Sequence, residues 1–134
     1  MSKFPAWFNR AYKRWSRSQP GEEDFLAFCD LLGYSPSKVL GWLHGEFLPE
    51  EQEVLSIAGA LGIKAYQVLD LPKPEPELFK IYGSFAHLTG QDRSNLALAL
   101  FEVERILKED KISTKSTAAK EIIKSIFEKY GLSR

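Results

Sequence analysis

The chain predicts an all-α protein, and three observations carry that prediction. Apolar residues recur three and four positions apart in segment after segment, which is the spacing of one helix face. Glycines and prolines fall between those segments, where helices stop and start. No run alternates apolar and polar residues as a half-buried strand does, and neither an internal repeat nor a low-complexity tract is visible.

The first helix is expected from about Pro5 to Trp15, with Phe4, Trp7, Phe8, Ala11, Tyr12 and Trp15 as its apolar stripe. Pro5 suits a first-turn position, where its missing N–H removes no helical hydrogen bond. The link SRSQPGEE is rich in turn formers and ends this helix. A second helix should run from near Glu22 to Leu32, with acids at the positive end of its dipole and Phe25, Phe28, Cys29 and Leu32 inward. Gly33 follows as a left-handed C-terminal cap. In SPSK, Ser35 is a good N-cap and Pro36 fits the first position of a third helix. Val39, Trp42 and Leu43 face its core side, and Gly45 ends it.

Pro49 opens a fourth helix, in which Val54, Ile57, Ala58 and Leu61 share a face and Gly62 closes the element. The short segment KAYQVLDL makes a fifth helix before PKPEPE, a joint rich in proline and charge. That joint divides the chain into residues 1–72, a compact helical unit, and residues 73–134, a helical extension suited to dimerisation or to packing back on the first unit. The extension holds three amphipathic segments. Leu78, Ile81, Tyr82, Phe85 and Leu88 form the first stripe, broken at Thr89-Gly90. Leu96, Leu98, Leu100, Phe101, Val103 and Ile106 form the second. After the polar link KEDKISTKST, a last helix to Tyr130 aligns Ile122, Ile123, Ile126 and Phe127.

At 134 residues, 44% hydrophobic and 27% charged, the composition is that of a globular protein with a modest core. No apolar run is long enough to cross a bilayer, and MSKFPAWFNR lacks the apolar core of a signal peptide. A single cysteine, Cys29, excludes an intrachain disulfide and a multi-cysteine zinc site. A cytoplasmic protein is the expectation. Net charge is zero, but its distribution is uneven. Before Pro20 stand Lys3, Arg10, Lys13, Arg14 and Arg17 with no acid, lying mostly away from the apolar stripe. From there to Leu71 nine acids face only Lys38 and Lys64. Such asymmetry fits either a phosphate-facing helix over an acidic body or pairing of the first helix with acidic neighbours.

No enzymatic chemistry is legible. The chain has no glycine-rich phosphate loop, no histidine pair at metal spacing and no nucleophile elbow. No cofactor and no metal are expected. His87 reads as an isolated structural histidine on a helix, and Cys29 as a small buried hydrophobe.

The order of the first five helices, with Gly33, Trp42, Gly45, Pro49 and the ALG of the fourth helix, resembles the XRE/Cro-type helix-turn-helix family over about Phe4 to Leu71. The resemblance implies the lambda-repressor-like fold and a DNA-binding transcriptional regulator with its third helix, about 36–44, in the major groove of double-stranded DNA. Carried over position by position, it makes Ser35 a phosphate contact and cap. Pro36, Ser37, Lys38 and Gly41 become the base-facing set, and His44 a second phosphate clamp. Lys13, Arg14 and Arg17 would add backbone attraction. A homodimer would double the few base pairs one short helix reads.

This sequence departs from the family at Glu46-Phe47-Leu48, where the family favours Lys or Arg, and at Pro36 and Gly41, which have no side-chain donor. An exposed Phe47-Leu48 pair would suit a protein partner. The alternative reading is therefore a degenerate helix-turn-helix domain acting as a protein-protein interaction module.

Overall fold

The structure, a computed structural model, describes residues 3–18, 25–85 and 87–132. The described residues form eight helices and no strand: α1 Phe4–Ser18, α2 Phe25–Leu32, α3 Pro36–Leu43, α4 Glu51–Leu61, α5 Lys64–Val68, α6 Pro76–Gly83, α7 Gln91–Glu109 and α8 Thr117–Lys129. The all-α expectation is met. No helix is long and apolar enough to cross a membrane, among the described residues.

The expected stripe of α1 is its buried side, with Phe4, Trp7, Phe8 and Ala11 sealed from solvent. The helix runs past Trp15 to Ser18, so the first three residues of the predicted link are helical. The rest of that link, and the acids Glu22, Glu23 and Asp24, lie outside the described residues. Aromatic rings knit α1 to α2 and α3. Phe8 lies 5.8 Å from Phe28 and 6.0 Å from Trp42, while Tyr12 meets Phe28 at 4.5 Å. Burying rings of this size is the main source of stability in so small a core.

Caps fall where their residue types predict. The Ser35 hydroxyl accepts a hydrogen bond from Lys38 N, and Ser116 accepts one from Ala119 N. Gly33 and Gly45 hold φ of +88° and +71°, the left-handed conformation that ends a helix.

Two packing clusters meet across α4. One gathers α1 to α5 around Phe8, Phe28, Trp42 and Ile57; the other gathers α6 to α8 around Tyr82, Leu96, Leu100 and Val103. Leu55 of α4 belongs to the second cluster, and Phe79 of α6 packs against both. The start of α7 is seated on the last turn of α2 and on Gly33, which begins the turn to α3. Gly90 N donates to Asp30 O at 2.9 Å, and the buried Arg93 donates from Nε to Leu31 O at 3.1 Å. The Arg93 guanidinium lies 5.3 Å from the centre of the Tyr82 ring. Two expectations need correction. Leu98 faces solvent, because the inward stripe of α7 follows Leu96, Leu100, Val103 and Leu107. His87 sits in the turn after α6 and stacks on Phe85, rather than lying on a helix.

Candidate nucleic-acid interface

α3 is held from behind and left open in front. Trp42 and Val39 are fully buried against α1 and α2. Asn9 of α1 donates to Leu43 O at 2.7 Å and to Pro5 O at 2.8 Å. Its amide thereby satisfies one of the last carbonyls of α3, which have no partner within the helix. The outward residues Ser35, Pro36, Ser37, Leu40 and His44 are exposed, and α6 to α8 do not cover them.

The side chains on that outward side are less suited to phosphate than their sequence positions imply. Lys38 pairs with Glu53 of α4, and its ammonium lies 5.5 Å from the centre of the Tyr34 ring. Glu53 is buried, with its side chain 5% exposed, and its other oxygen accepts from Glu50 N at 2.7 Å. The Lys38 charge is thus spent within the protein. Tyr34 bonds Ser56 at 3.1 Å, and burial pushes its phenol above the ordinary tyrosine range. His44 caps the end of α3 and has Glu46 3.6 Å from Nδ1, so the residue expected to clamp phosphate carries an acid beside it.

Gly41, expected to face bases, is buried instead. A Cβ built on it would stand 2.2 Å from Phe47 Cζ, so the Phe47 ring lies directly on the backbone of α3. The ring's other side remains open: Phe47 is 47% exposed and Leu48 48%. Ser35, Lys38, Glu50 and Glu53 line one groove with Gln91, Ser94 and Leu98 of α7. The N-terminal end of α3 therefore borders two carboxylates rather than a basic field.

Positive charge gathers elsewhere. Arg10, Lys13, Arg14 and Arg17 of α1 line a groove of ≈ 420 Å³ with Lys64, the first residue of α5, over the edge of Trp7. Lys3, Arg10 and Lys64 continue it toward Leu48 and Asp70. None of these six cations forms an ion pair, among the described residues. The structure thus brings Lys13, Arg14 and Arg17 together with one another. It does not bring them to Ser35, Ser37, Lys38 and His44.

Three groups with a part in this surface escaped the sequence reading. Lys64 joins the α1 cations only through the packing of α5 on α1. Glu53 had a local signal, since Glu50 and Glu53 stand at the spacing of a helix-start capping pair. The burial of Gly41 by Phe47 had none.

No family model, no curated protein and no solved structure matches this chain.

Proposed function

We propose that the protein is a DNA-binding regulator of the XRE helix-turn-helix type, with the lambda-repressor-like arrangement of α1 to α5 and with α3 entering the major groove. The observation that carries the reading is the open front of α3. A short helix anchored on three sides by α1, α2 and the turn at Gly33 presents Ser35, Ser37 and His44 outward, and no later helix covers it. Hydroxyl and imidazole groups at those positions can donate to phosphates and to base acceptors. Two copies on a two-fold axis would read a palindrome.

A second reading, a protein-interaction module, is favoured by a different observation. Lys38 is neutralised by Glu53, and the half-exposed Phe47 and Leu48 stand where phosphate-binding cations would be wanted. Selection of bound sequences from a random duplex pool by the purified full chain separates the two. The DNA reading expects an enriched site whose recovery is lost in Ser37→Ala/His44→Ala. A folded protein that enriches no sequence would overturn it.

A further inference from the structure

The cations of α1 define a face of their own. At 3.6 residues per turn, Lys3, Arg10, Lys13, Arg14 and Arg17 fall within roughly 100° of arc around the helix. The residues through which α1 meets α3 are Phe8, against Trp42, Asn9, bonded to Leu43 O, and Pro5, beside Gly45. The centre of that contact lies roughly 140° around α1 from the centre of the basic arc. The basic face therefore looks away from the open front of α3. From Lys3 to Arg17 it runs about 21 Å along the helix axis, and Lys64 widens it on the α5 side.

We propose that this α1–α5 face is a sequence-independent binding site for the phosphate backbone of duplex nucleic acid, separate from α3. The chemistry of the face selects that ligand. Among the described residues none of its cations is ion-paired, and Asp70 at the Leu48 end is the one carboxylate lining the two grooves. Three of the six are arginines, whose planar guanidinium forks match phosphate oxygens. Trp7 is only 3% exposed, so the groove offers no ring on which an unpaired base could stack; this points to backbone rather than to single strands. Phe4, Trp7, Phe8 and Ala11 are buried in the core and Tyr12 and Trp15 are partly buried against it, so the apolar side of α1 is engaged within the protein rather than turned to a lipid surface.

The site does not depend on sequence reading by α3, and a salt titration of random-sequence duplex binding tests it. Five phosphate contacts give a slope of log K against log salt of about −4.5, or roughly a 500-fold loss between 50 and 200 mM salt. Arg10→Gln/Arg14→Gln/Arg17→Gln should bind at least tenfold more weakly at 50 mM, with a slope flatter by about 3. Lys13→Gln/Lys64→Gln, on two helices, repeats the test with a flattening of about 2. Ser37→Ala/His44→Ala should leave the slope within one unit of wild type. The proposal is overturned if the wild-type chain does not bind random duplex at 50 mM salt, or if both α1 variants keep its slope. Tighter binding to phosphatidylserine vesicles than to duplex overturns it as well. Loss of random-duplex binding in the α1 variants without any enriched sequence would keep this inference and remove the α3 reading. An enriched site indifferent to the α1 variants would do the reverse.

Discussion

Gly33→Ala tests the seating of α7 on the turn between α2 and α3, and its cost can be worked from two sources. The first is backbone strain: φ at Gly33 is +88°, and an L side chain in the left-handed region costs about 1–2 kcal/mol. The second is space. The added carbon would stand 2.7 Å from Arg93 Cβ, 2.8 Å from Gly90 O and 2.9 Å from Ser94 N. Two of these three are backbone atoms of the start of α7, so a rotamer change cannot relieve the contact. Overpacking of this kind adds about 1–3 kcal/mol, giving an expected loss of about 2–5 kcal/mol. Gly45→Ala is the matched control. Its φ is +71°, but its nearest neighbour is Pro5 Cγ at 3.4 Å, an ordinary contact. It should lose only about 1–2 kcal/mol. Urea unfolding followed by far-UV circular dichroism reads the difference. With a slope of about 1.5 kcal/mol/M, the Gly33→Ala midpoint should lie about 0.7–2 M below that of Gly45→Ala. Midpoints within 0.3 M of each other would refute the packing of α7 on this turn.

Removing Lys38 should act mainly on stability. Lys38→Ala leaves the buried Glu53 carboxylate with Glu50 N as its remaining partner and should cost about 1 kcal/mol, discounted because Lys38 itself is half exposed. A double-mutant cycle with Glu53→Gln should show coupling of at least about 0.5 kcal/mol, while random-duplex affinity changes less than about twofold; strictly additive losses would refute the pair. The pair between Lys129 of α8 and Glu102 of α7, 2.9 Å apart, should give a pH signature. The hydrogen bond from Lys129 holds the Glu102 carboxyl below its ordinary range, and the same bond raises Lys129. The Glu102 contribution is therefore present above the unfolded carboxyl value and lost as pH falls through the folded one. The Lys129 contribution is present below the ordinary lysine range and lost as pH rises through its folded value. The urea-midpoint difference between wild type and Lys129→Ala should thus hold steady from about pH 6 to 9 and shrink below about pH 4; a difference independent of pH would remove the pair from the stability of α7 on α8.

Much of the helical layout was legible because each helix declares its buried side locally. Phe4, Trp7, Phe8 and Ala11 needed only the helical period to be grouped, and Ser35-Pro36 announced the start of α3 by the chemistry of a cap and a first turn. Where a residue serves two purposes, only the local one was visible. Gly33 is legible as the end of α2, because a glycine after an apolar helix commonly takes a left-handed cap. Its second purpose, making room for Gly90 and Ser94, depends on chain about 60 residues away, and no local pattern encodes it. Leu98 failed for a related reason. In a helix as rich in leucine and alanine as α7, small inward residues such as Ala97 and Ala99 carry the face, while a leucine can stand outside it.

The candidate site was harder to read because charge, unlike apolarity, has no period. Lys38 counted as a free cation until the fold placed Glu53 beside it, 15 positions along the chain and on another helix. The cations of α1 counted toward the same duplex as α3, although α1 must turn its apolar side to α2 and α3 to bury Phe8 and Tyr12. That constraint alone sends Arg10, Arg14 and Arg17 to the opposite side. The hydrophobic core thus decides where the positive charge of α1 points. A basic stripe on an amphipathic helix faces away from whatever the apolar stripe packs against, and here the apolar stripe packs against the α2–turn–α3 unit itself. A single flat duplex lying on the front of α3 leaves Lys3, Arg10, Lys13, Arg14 and Arg17 largely unused. Among the described residues these cations have no ion-pair partner, and that is the observation on which the proposed backbone site of the α1–α5 face rests.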